Sequence, residues 1–445
     1  MIGGRRRPRA WIVAATTLLV VCAAAYQWGG PLWKDQQTRS EQRKLAVLVI
    51  LDTLRADHLG CYGRDPSPSP NLDAFARRSF VFDHMASASV HTFGTHTALF
   101  RSLYPTFAVQ AGEAAMKADF PSLPGLLKSG GVHTAVFGHG PIFRVAAVRE
   151  FETSQAHDKG RAGIAALIEW LAARGADERD VFVFLHLYDV HDPYYESPRL
   201  LDADYHMADR DERLRFHAAL KARGTAEMIK AYDEGIAYVD HFMGILLRQL
   251  DQLSETTDVL TLITSDHGEA FGEHRGFFGH TKLVYQEVVH VPLLIAHSRT
   301  AGGRTIATPV STVDLAPTIL QHFDLPVPTY FQGRELLSLL DGGAADRPTV
   351  VFAEDRSGRE KMIRNQHYKL IYDSQTRRSE LYDLIADPAE TRDIAATHAD
   401  LAATLLSDLL RYYDSEGQRL GMQNQMPLRN QRHIEEQLRA LGYTE

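Results

Sequence analysis

The apolar run LAVLVIL at residues 45–51, which is followed at once by Asp52, decides the fold. A short, continuous run of β-branched and aliphatic residues is typical of a strand buried on both faces of a parallel sheet. Four further segments have this character: 132–137 (VHTAVF), 181–187 (VFVFLHL), 258–264 (DVLTLIT) and 291–296 (VPLLIA). Helical patterns lie between them, and in the longest, 227–250, apolar residues recur at helical spacing. This alternation predicts an α/β fold with a mainly parallel sheet sandwiched by helices.

Composition narrows the class of protein. The chain has 445 residues, 44% of them hydrophobic, which is ample for a packed core. Its net charge of -8 argues against a nucleic-acid partner. With only 2 cysteines, a disulfide scaffold and a multi-cysteine metal site are excluded, whereas 21 histidines are available as ligands.

The N-terminal segment, residues 1–44, has the pattern of a targeting region. Four arginines within residues 5–9 precede an apolar run over 10–26. The run is slightly shorter than the roughly 20 residues of a spanning helix, and 23–25 (AAA) resembles a cleavage site. A membrane anchor is favoured over a cleaved signal peptide, and residues 34–44 are predicted to be a polar tether. Because basic residues keep that end in the cytoplasm, the body is expected to be exported, either membrane-anchored or secreted after cleavage.

Acidic and histidine residues follow three of the predicted strands. Asp52 ends the first, Asp189 and His191 follow the third, and Asp266 and His267 follow the fourth. Ligands in such sheets bind beyond the carboxyl ends of the strands, so these side chains are expected to converge. Carboxylates with imidazoles suit Zn²⁺ or Mn²⁺, whereas an all-oxygen set suits Ca²⁺ or Mg²⁺. The pattern predicts a metal site.

A hydroxyl-rich segment supplies the candidate nucleophile. Residues 89–105 (SVHTFGTHTALFRSLYP) combine hydroxyls and histidines and lead into a predicted helix. The unsatisfied amides of a helix N-terminus favour bound anions, and a divalent ion lowers the pKa of a coordinated hydroxyl. A phosphate or sulfate group is expected to bind here.

Six blocks of sequence resemble the sulfatase family of the alkaline-phosphatase superfamily and stand in family order: LVILDTLRADHLGCYG (48–63), SPNLDAFARRSFVFDHMAS (69–87), LHLYDVHDPY (185–194), SDHGEAFGEH (265–274), GHTKLVYQEVVHVPLLI (279–295) and ELYDLIADPAETRDIA (380–395). The resemblance covers about residues 45–410. It implies an alkaline-phosphatase-like fold and a metal-dependent ester hydrolase.

The resemblance also implies roles for single residues. Asp52, Asp266 and His267 match the family's metal ligands, and His191 matches the histidine that contacts the transferred group. His280 and Lys282 match the residues that bind the anion and assist the leaving group. The resemblance thus predicts a site that contains the metal ligands, His191, His280 and Lys282. The implied cofactor is one divalent ion (Zn, Mn or Ca). A second ion, held by Asp189 and His191, is less expected.

The nucleophile segment departs from the family. Sulfatases carry Cys or Ser in C/S-x-P-S-R, which is converted to formylglycine, whereas this chain has Thr92-Phe93-Gly94-Thr95-His96. Threonine lacks the chemistry to become formylglycine. In superfamily members that transfer phosphoryl groups a threonine binds the metal, so the hypothesis is that Thr92 is a metal-bound nucleophile. His96 either orients it or caps the following helix.

These observations predict a sulfatase-like catalytic domain over 45–340, an antiparallel C-terminal subdomain with a helix near 400–413 over 341–415, and a tail over 416–445. The predicted function is hydrolysis of sulfate or phosphate esters of a small molecule, glycan or lipid. Two alternatives stay open. One is a phosphoethanolamine- or phosphoglycerol-type transferase, or a phosphodiesterase, acting on envelope glycolipids; the other is a non-catalytic module that binds anions or glycans.

Overall fold

The computed structural model describes residues 42–108, 119–157, 159–174, 179–192, 215, 218–343 and 349–422. The predicted anchor at residues 1–41 and the tail beyond residue 422 lie outside these ranges. Among the described helices, none combines the length and the apolar character that a membrane crossing requires.

The strands, numbered in chain order, are β1 (Lys44–Leu51), β2 (Phe80–Phe82), β3 (Met85–Ala86), β4 (His133–Gly138), β5 (Thr153–Ala156), β6 (Val181–Leu187), β7 (Asp258–Thr264), β8 (Ala270–Phe271), β9 (Phe278–Gly279), β10 (Leu293–His297), β11 (Arg304–Ile306), β12 (Val310–Ser311), β13 (Val351–Glu354), β14 (Glu360–Arg364), β15 (Tyr368–Asp373) and β16 (Arg378–Asp383). The α-helices are α1 (Pro70–Ala76), α2 (Thr92–Arg101), α3 (Leu123–Ser129), α4 (Gly160–Ala173), α5 (Thr225–Leu253), α6 (Gln286–Val289), α7 (Leu315–His322), α8 (Leu337–Leu340) and α9 (Ala399–Arg419). Short 3₁₀ helices lie at Ala56–His58, Gly60–Tyr62, Gly140–Arg144, Ala146–Glu150 and Thr312–Asp314.

The main sheet has eight strands in the order β11-β2-β10-β7-β1-β6-β4-β5. Strand β1 is parallel to both β6 and β7, and β4 is parallel to β5 and β6. The predicted strand at 291–296 forms β10, which is antiparallel to its neighbours. Because the segment between β7 and β10 stays at the carboxyl edge of the sheet, the chain re-enters from that edge. The sheet is therefore mainly parallel, as predicted.

Helices cover both faces of the sheet, and β1 shows how. Its residues are completely buried from Ala46 onward. Alternate side chains, including Val49, pack with α5, while the others, including Ile50, pack with α7. A continuous apolar run is needed because neither face meets water.

The register of the central strands positions the site. Ile50 lies opposite His186 in β6 and opposite Thr264 in β7. The amide of Asp52 then donates to the carbonyl oxygen of Leu187 over 2.9 Å. The three strands therefore end level with one another, and the residues that follow them lie side by side.

The C-terminal region contains a separate four-stranded antiparallel sheet in the order β13-β14-β15-β16. Leu405, Leu409 and Tyr413 of α9 pack into its apolar cluster. The predicted helix near 400–413 thus extends to residue 419. An antiparallel sheet with its helix confirms the expected α+β subdomain.

Candidate active site

Two carboxylates and one imidazole meet at the carboxyl ends of β1 and β7. Asp52, Asp266 and His267 are all completely buried. Each offers one ligand atom, and these atoms lie within 4.8 Å of one another. His267 Nε2 is 3.3 Å from Asp266 Oδ2 and 4.0 Å from Asp52 Oδ1. In a tetrahedral site with bonds of about 2.0–2.2 Å, donor atoms lie roughly 3.3–3.6 Å apart, so small movements would complete the set.

The hydrogen bonds around the carboxylates and His267 leave several of the candidate ligand atoms without a donor. The Nδ1 of His267 lies 3.0 Å from the carbonyl oxygen of Gly268, which can only accept, so Nε2 presents its lone pair to the carboxylates. Asp266 Oδ1 accepts from the amides of Thr53 and His267 at 3.2 and 3.0 Å. Among the described residues, neither oxygen of Asp52 nor Oδ2 of Asp266 has a hydrogen-bond donor. Converging buried lone pairs without donors are unfavourable, and a divalent cation would satisfy them.

Thr92 lies at the edge of this cluster. It is the first residue of α2, it is partly exposed, and its Oγ1 is 3.3 Å from His267 Nε2. Gly94 follows, and a Cβ there would meet the side chains of Ser89 and His91. Those two side chains are themselves in contact, with Ser89 Oγ 2.9 Å from His91 Nδ1. This packing accounts for glycine where the family pattern has proline.

The turn after β1 is held in an unusual conformation. Thr53 has φ of 62°, a left-handed value that β-branched residues rarely adopt. The hydroxyl of Tyr232, on α5, donates to the Thr53 carbonyl oxygen at 2.7 Å and accepts from the Arg55 amide at 2.8 Å. Strain of this kind persists only where surrounding contacts enforce it. Here it directs the Thr53 amide to Asp266.

Two buried histidines, His96 and His186, lie close to the carboxylates of Asp266 and Asp52. His96, in α2, donates from Nδ1 to the carbonyl oxygen of Thr92 at 2.7 Å, and this atom is 3.9 Å from Asp266 Oδ2. Burial lowers the pKa of His96 to about 4, so it is neutral and does not supply the positive charge of the arginine it replaces. His186, in β6, has Nε2 3.3 Å from Asp52 Oδ2. Together with Asp266, these two histidines form a second group of close donor atoms.

The sequence analysis singled out neither His186 nor Glu269 as a site residue. The available signals were, for His186, its place near the carboxyl end of the predicted strand 181–187 and, for Glu269, its position two residues after His267. Glu269 is buried, and its Oε2 lies 3.2 Å from Nδ1 of His280. Burial alone would lower the pKa of His280, but the Glu269 carboxylate outweighs this and raises it.

His191 and His280 lie on the solvent side of the cluster. The ring of His280 is 4.3 Å from that of His267 and 5.1 Å from that of His191, centroid to centroid. Burial opposes the charge on His191, yet its contact with Asp192 and the charge of Asp52 raise its pKa to about 10. A charged imidazole here suits an anionic substrate group.

Two further predicted residues are placed elsewhere. Lys282 is exposed, and its Nζ lies 5.6 Å from the ring centroid of Phe277. Asp189 accepts from the amide of Gly160 at 2.9 and 3.1 Å, and burial raises its pKa to about 6. The structure therefore groups Asp52, Thr92, His96, His191, Asp266, His267 and His280, and it does not bring Asp189 into the groups of close donor atoms.

Fold and site together match one class of protein. The sulfatase family model matches residues 44–325, and a model described as N-sulphoglucosamine sulphohydrolase, C-terminal, matches residues 272–414. The chain belongs to the sulfatase family, within the alkaline-phosphatase superfamily.

Individual relatives share 30% sequence identity or less with this chain. The chain is 29% identical to mouse (Mus musculus) arylsulfatase K over 182 residues, which cover 38% of this chain and 32% of the relative. It is 30% identical to N-acetylglucosamine-6-O-sulfatase of Bacteroides thetaiotaomicron over 180 residues, with 38% and 32% covered. The matched part thus spans about a third of the length of these curated relatives. The solved phosphonate monoester hydrolase of Agrobacterium radiobacter has the same fold, with a TM-score of 0.68 at 18% identity, covering 84% of this chain and 96% of that one.

Proposed function

We propose that the protein hydrolyses sulfate or phosphate esters at one divalent metal ion, with Thr92 as nucleophile. The observation that carries this proposal is the position of Thr92 Oγ1, 3.3 Å from His267 Nε2, beside carboxylate oxygens that have no donor among the described residues. The same atoms would serve as metal ligands and as the point of attack.

The donor set fits a metal. Two carboxylates, one imidazole and one hydroxyl, from Asp52, Asp266, His267 and Thr92, are oxygen and nitrogen ligands of the kind that suits Zn²⁺ or Mn²⁺. When bound, such an ion polarises an ester oxygen and lowers the pKa of a neighbouring hydroxyl. His96 anchors the first turn of α2 through the Thr92 carbonyl oxygen, and His186 lies beside Asp52, as outer contacts of metal sites do.

The remaining chemistry follows from the chain's own residues. Thr92 Oγ1, having released its proton to water, forms a bond to sulfur or phosphorus, and the bond to the ester oxygen breaks. His280, whose pKa the Glu269 carboxylate raises, gives a proton to that leaving oxygen. Charged His191 and the amides at the start of α2 hold the anionic oxygens. Water then cleaves the ester on Thr92 and regenerates the hydroxyl.

Sulfate esters are the first candidate substrates, because the relatives named above are sulfatases. Phosphate monoesters are the second, since Thr92 cannot become formylglycine and an unmodified hydroxyl is the nucleophile favoured in phosphoryl chemistry. Small-molecule and glycan esters fit the partly exposed position of Thr92. We also propose that residues 1–44 tether the enzyme outside the cytoplasm, which fractionation and sequencing of the mature N-terminus would test.

A substrate and metal panel tests the activity. Metal-depleted protein is assayed with an aryl sulfate, an aryl phosphate and a diaryl phosphate, each with Zn²⁺, Mn²⁺ or Ca²⁺ added back. We expect metal-dependent turnover of a sulfate or phosphate monoester. Turnover of the diester alone contradicts the monoester assignment, and tight anion binding without any turnover supports the non-catalytic module.

A further inference from the structure

The opposite end of β7 carries a further group of side chains that could bind a metal, apart from the two groups at the catalytic end. Asp258 is the first residue of this strand, His297 is the last residue of β10, and His322 is the last residue of α7. Each offers one ligand atom, and these atoms lie within 4.8 Å of one another. Seven residues of strand span about 23 Å, so this group is remote from Asp266.

The geometry of His297 matches that of a metal ligand. Its Nε2 is 3.3 Å from Asp258 Oδ1, which is the spacing of neighbouring donors around a tetrahedral ion. Its Nδ1 is 3.3 Å from the hydroxyl of Thr300, so the ring is anchored from behind as ligating histidines usually are. Asp258 and His297 lie on β7 and β10, which are neighbouring strands of the main sheet.

His322 supplies an independent sign of a ligand. The residue is 3% exposed, and its Nε2 has no hydrogen-bond partner among the described residues. Its ring centroid lies 5.5 Å from that of His297, edge to face. A buried imidazole nitrogen with no partner costs free energy that coordination would recover.

We propose that Asp258, His297 and His322 bind a divalent transition metal of the zinc class, at a site distinct from the catalytic one. Two imidazoles and one carboxylate leave a fourth position for water. The ion would connect β7, β10 and the end of α7, three elements that are far apart in sequence.

Nearby charges set the cost of binding. Asp258 accepts from Ser298 Oγ at 3.0 Å on Oδ1 and pairs with Arg299 Nε at 3.1 Å on Oδ2. The Arg299 side chain is 38% exposed and can turn to solvent when an ion takes its place. Lys44 is paired with Asp324, so its charge is balanced. Without a metal, Asp258 and His297 have hydrogen-bonding partners, whereas Nε2 of His322 has none in the part of the chain that the structure describes.

Metal counting on the full chain, without a polyhistidine tag, tests this proposal. The metal-depleted protein is titrated with Zn²⁺, and with Co²⁺ as a spectroscopic probe. We compare the wild type with His322→Gln, His297→Gln, a double variant Asp52→Asn/Asp266→Asn and, as a matched control, exposed His241→Gln. We expect two equivalents in the wild type and the control and one in the other variants. Loss of a ligand should weaken the second site by more than the roughly 10- to 100-fold typical of outer contacts.

The outcomes separate this proposal from the proposed function. If the double variant retains one equivalent that His322→Gln removes, the second site is supported whatever the catalytic site binds. If His322→Gln and His297→Gln, folded as judged by circular dichroism, bind as many ions as the wild type, the second site does not exist. Ester hydrolysis should be unchanged in both histidine variants, since neither residue contacts the catalytic group.

Discussion

The two ends of β7 carry similar side chains in opposite electrostatic states. At the carboxyl end, Asp266 and Asp52 face the lone pair of His267, with three oxygens that lack donors among the described residues. At the amino end, Asp258 has its oxygens in contact with Ser298, Arg299 and His297. The first arrangement is unfavourable until a cation binds, whereas the second is nearly satisfied already. We therefore expect the same residue types to form a site that requires a metal at one end of β7 and a site that tolerates one at the other.

The largest expected effect is at the nucleophile. Thr92→Ala should lower kcat/KM by a factor on the order of 10³ or more, because no covalent ester can form. The control is Thr97→Ala, one turn further along α2, whose hydroxyl donates only to the Phe93 carbonyl oxygen. Melting temperatures of both variants should stay close to that of the wild type. Full turnover by Thr92→Ala would remove Thr92 from the mechanism.

A smaller loss is expected at the partner of His280. Glu269→Gln keeps the shape but removes the charge that raises the pKa of His280. We expect turnover to fall roughly 10- to 100-fold, less than the 10²–10⁴ of a complete general acid. The loss should be greater for alkyl than for nitrophenyl esters, because a poor leaving group needs the proton more. An equal loss for both would assign Glu269 a structural role only.

Amide substitutions at the two ends of β7 should change stability in opposite directions. In metal-free protein, Asp266→Asn should raise the free energy of unfolding by about 1 kcal/mol, since the new amide can donate to His267 Nε2. Asp258→Asn should lower it by about 1–2 kcal/mol, because it breaks a buried carboxylate pair whose Arg299 partner is partly exposed. Urea unfolding in EDTA measures both. Destabilisation of similar size by both substitutions would show that the ends do not differ.

The last prediction concerns the pH dependence of stability. The pKa of His322 falls from 6.5 to about 3 on burial, with Asp258, His297, Lys44 and Arg299 nearby. The unfolded chain then binds more protons, so this residue's contribution is complete above pH 6.5 and is lost as the pH falls toward 3. In EDTA, His322→Gln should lose less stability between pH 7 and 4.5 than the wild type or His241→Gln. Parallel curves for all three would place His322 in a more solvated position.

The local sequence was sufficient to predict the buried strands and the residues that follow them. The run 45–51 predicted β1 because a fully buried strand must be continuously apolar, and the strand ends placed Asp52, Asp266 and His267 together. By contrast, the direction of β10 depends on the path of the chain between β7 and β10. The contacts of His186 and Glu269 depend on register and ring orientation, which a pattern does not encode.

Long-range contacts explain the remaining differences. Asp258 begins a strand and His322 ends a helix about 64 residues later in the chain, so no spacing motif links them. Thr281, with φ of 95°, turns the chain just before Lys282. The side chain of Lys282 lies near the ring of Phe277. The role predicted for Lys282 from resemblance stays a prediction, as do the proposed domain boundaries.

The packing around Gly94 has a consequence for how this sequence can change. A Cβ at this position would collide with Ser89 Oγ and would lie 2.5 Å from His91 Cε1. Installing cysteine at position 92 and proline at position 94 would therefore not restore a modifiable sulfatase motif in two steps. Ser89 and His91 would have to move aside first, and His96 would have to become arginine in a pocket that holds a neutral ring. Conversion to the formylglycine motif thus requires changes at positions 92, 94, 95 and 96 together with a shift of the Ser89 and His91 side chains.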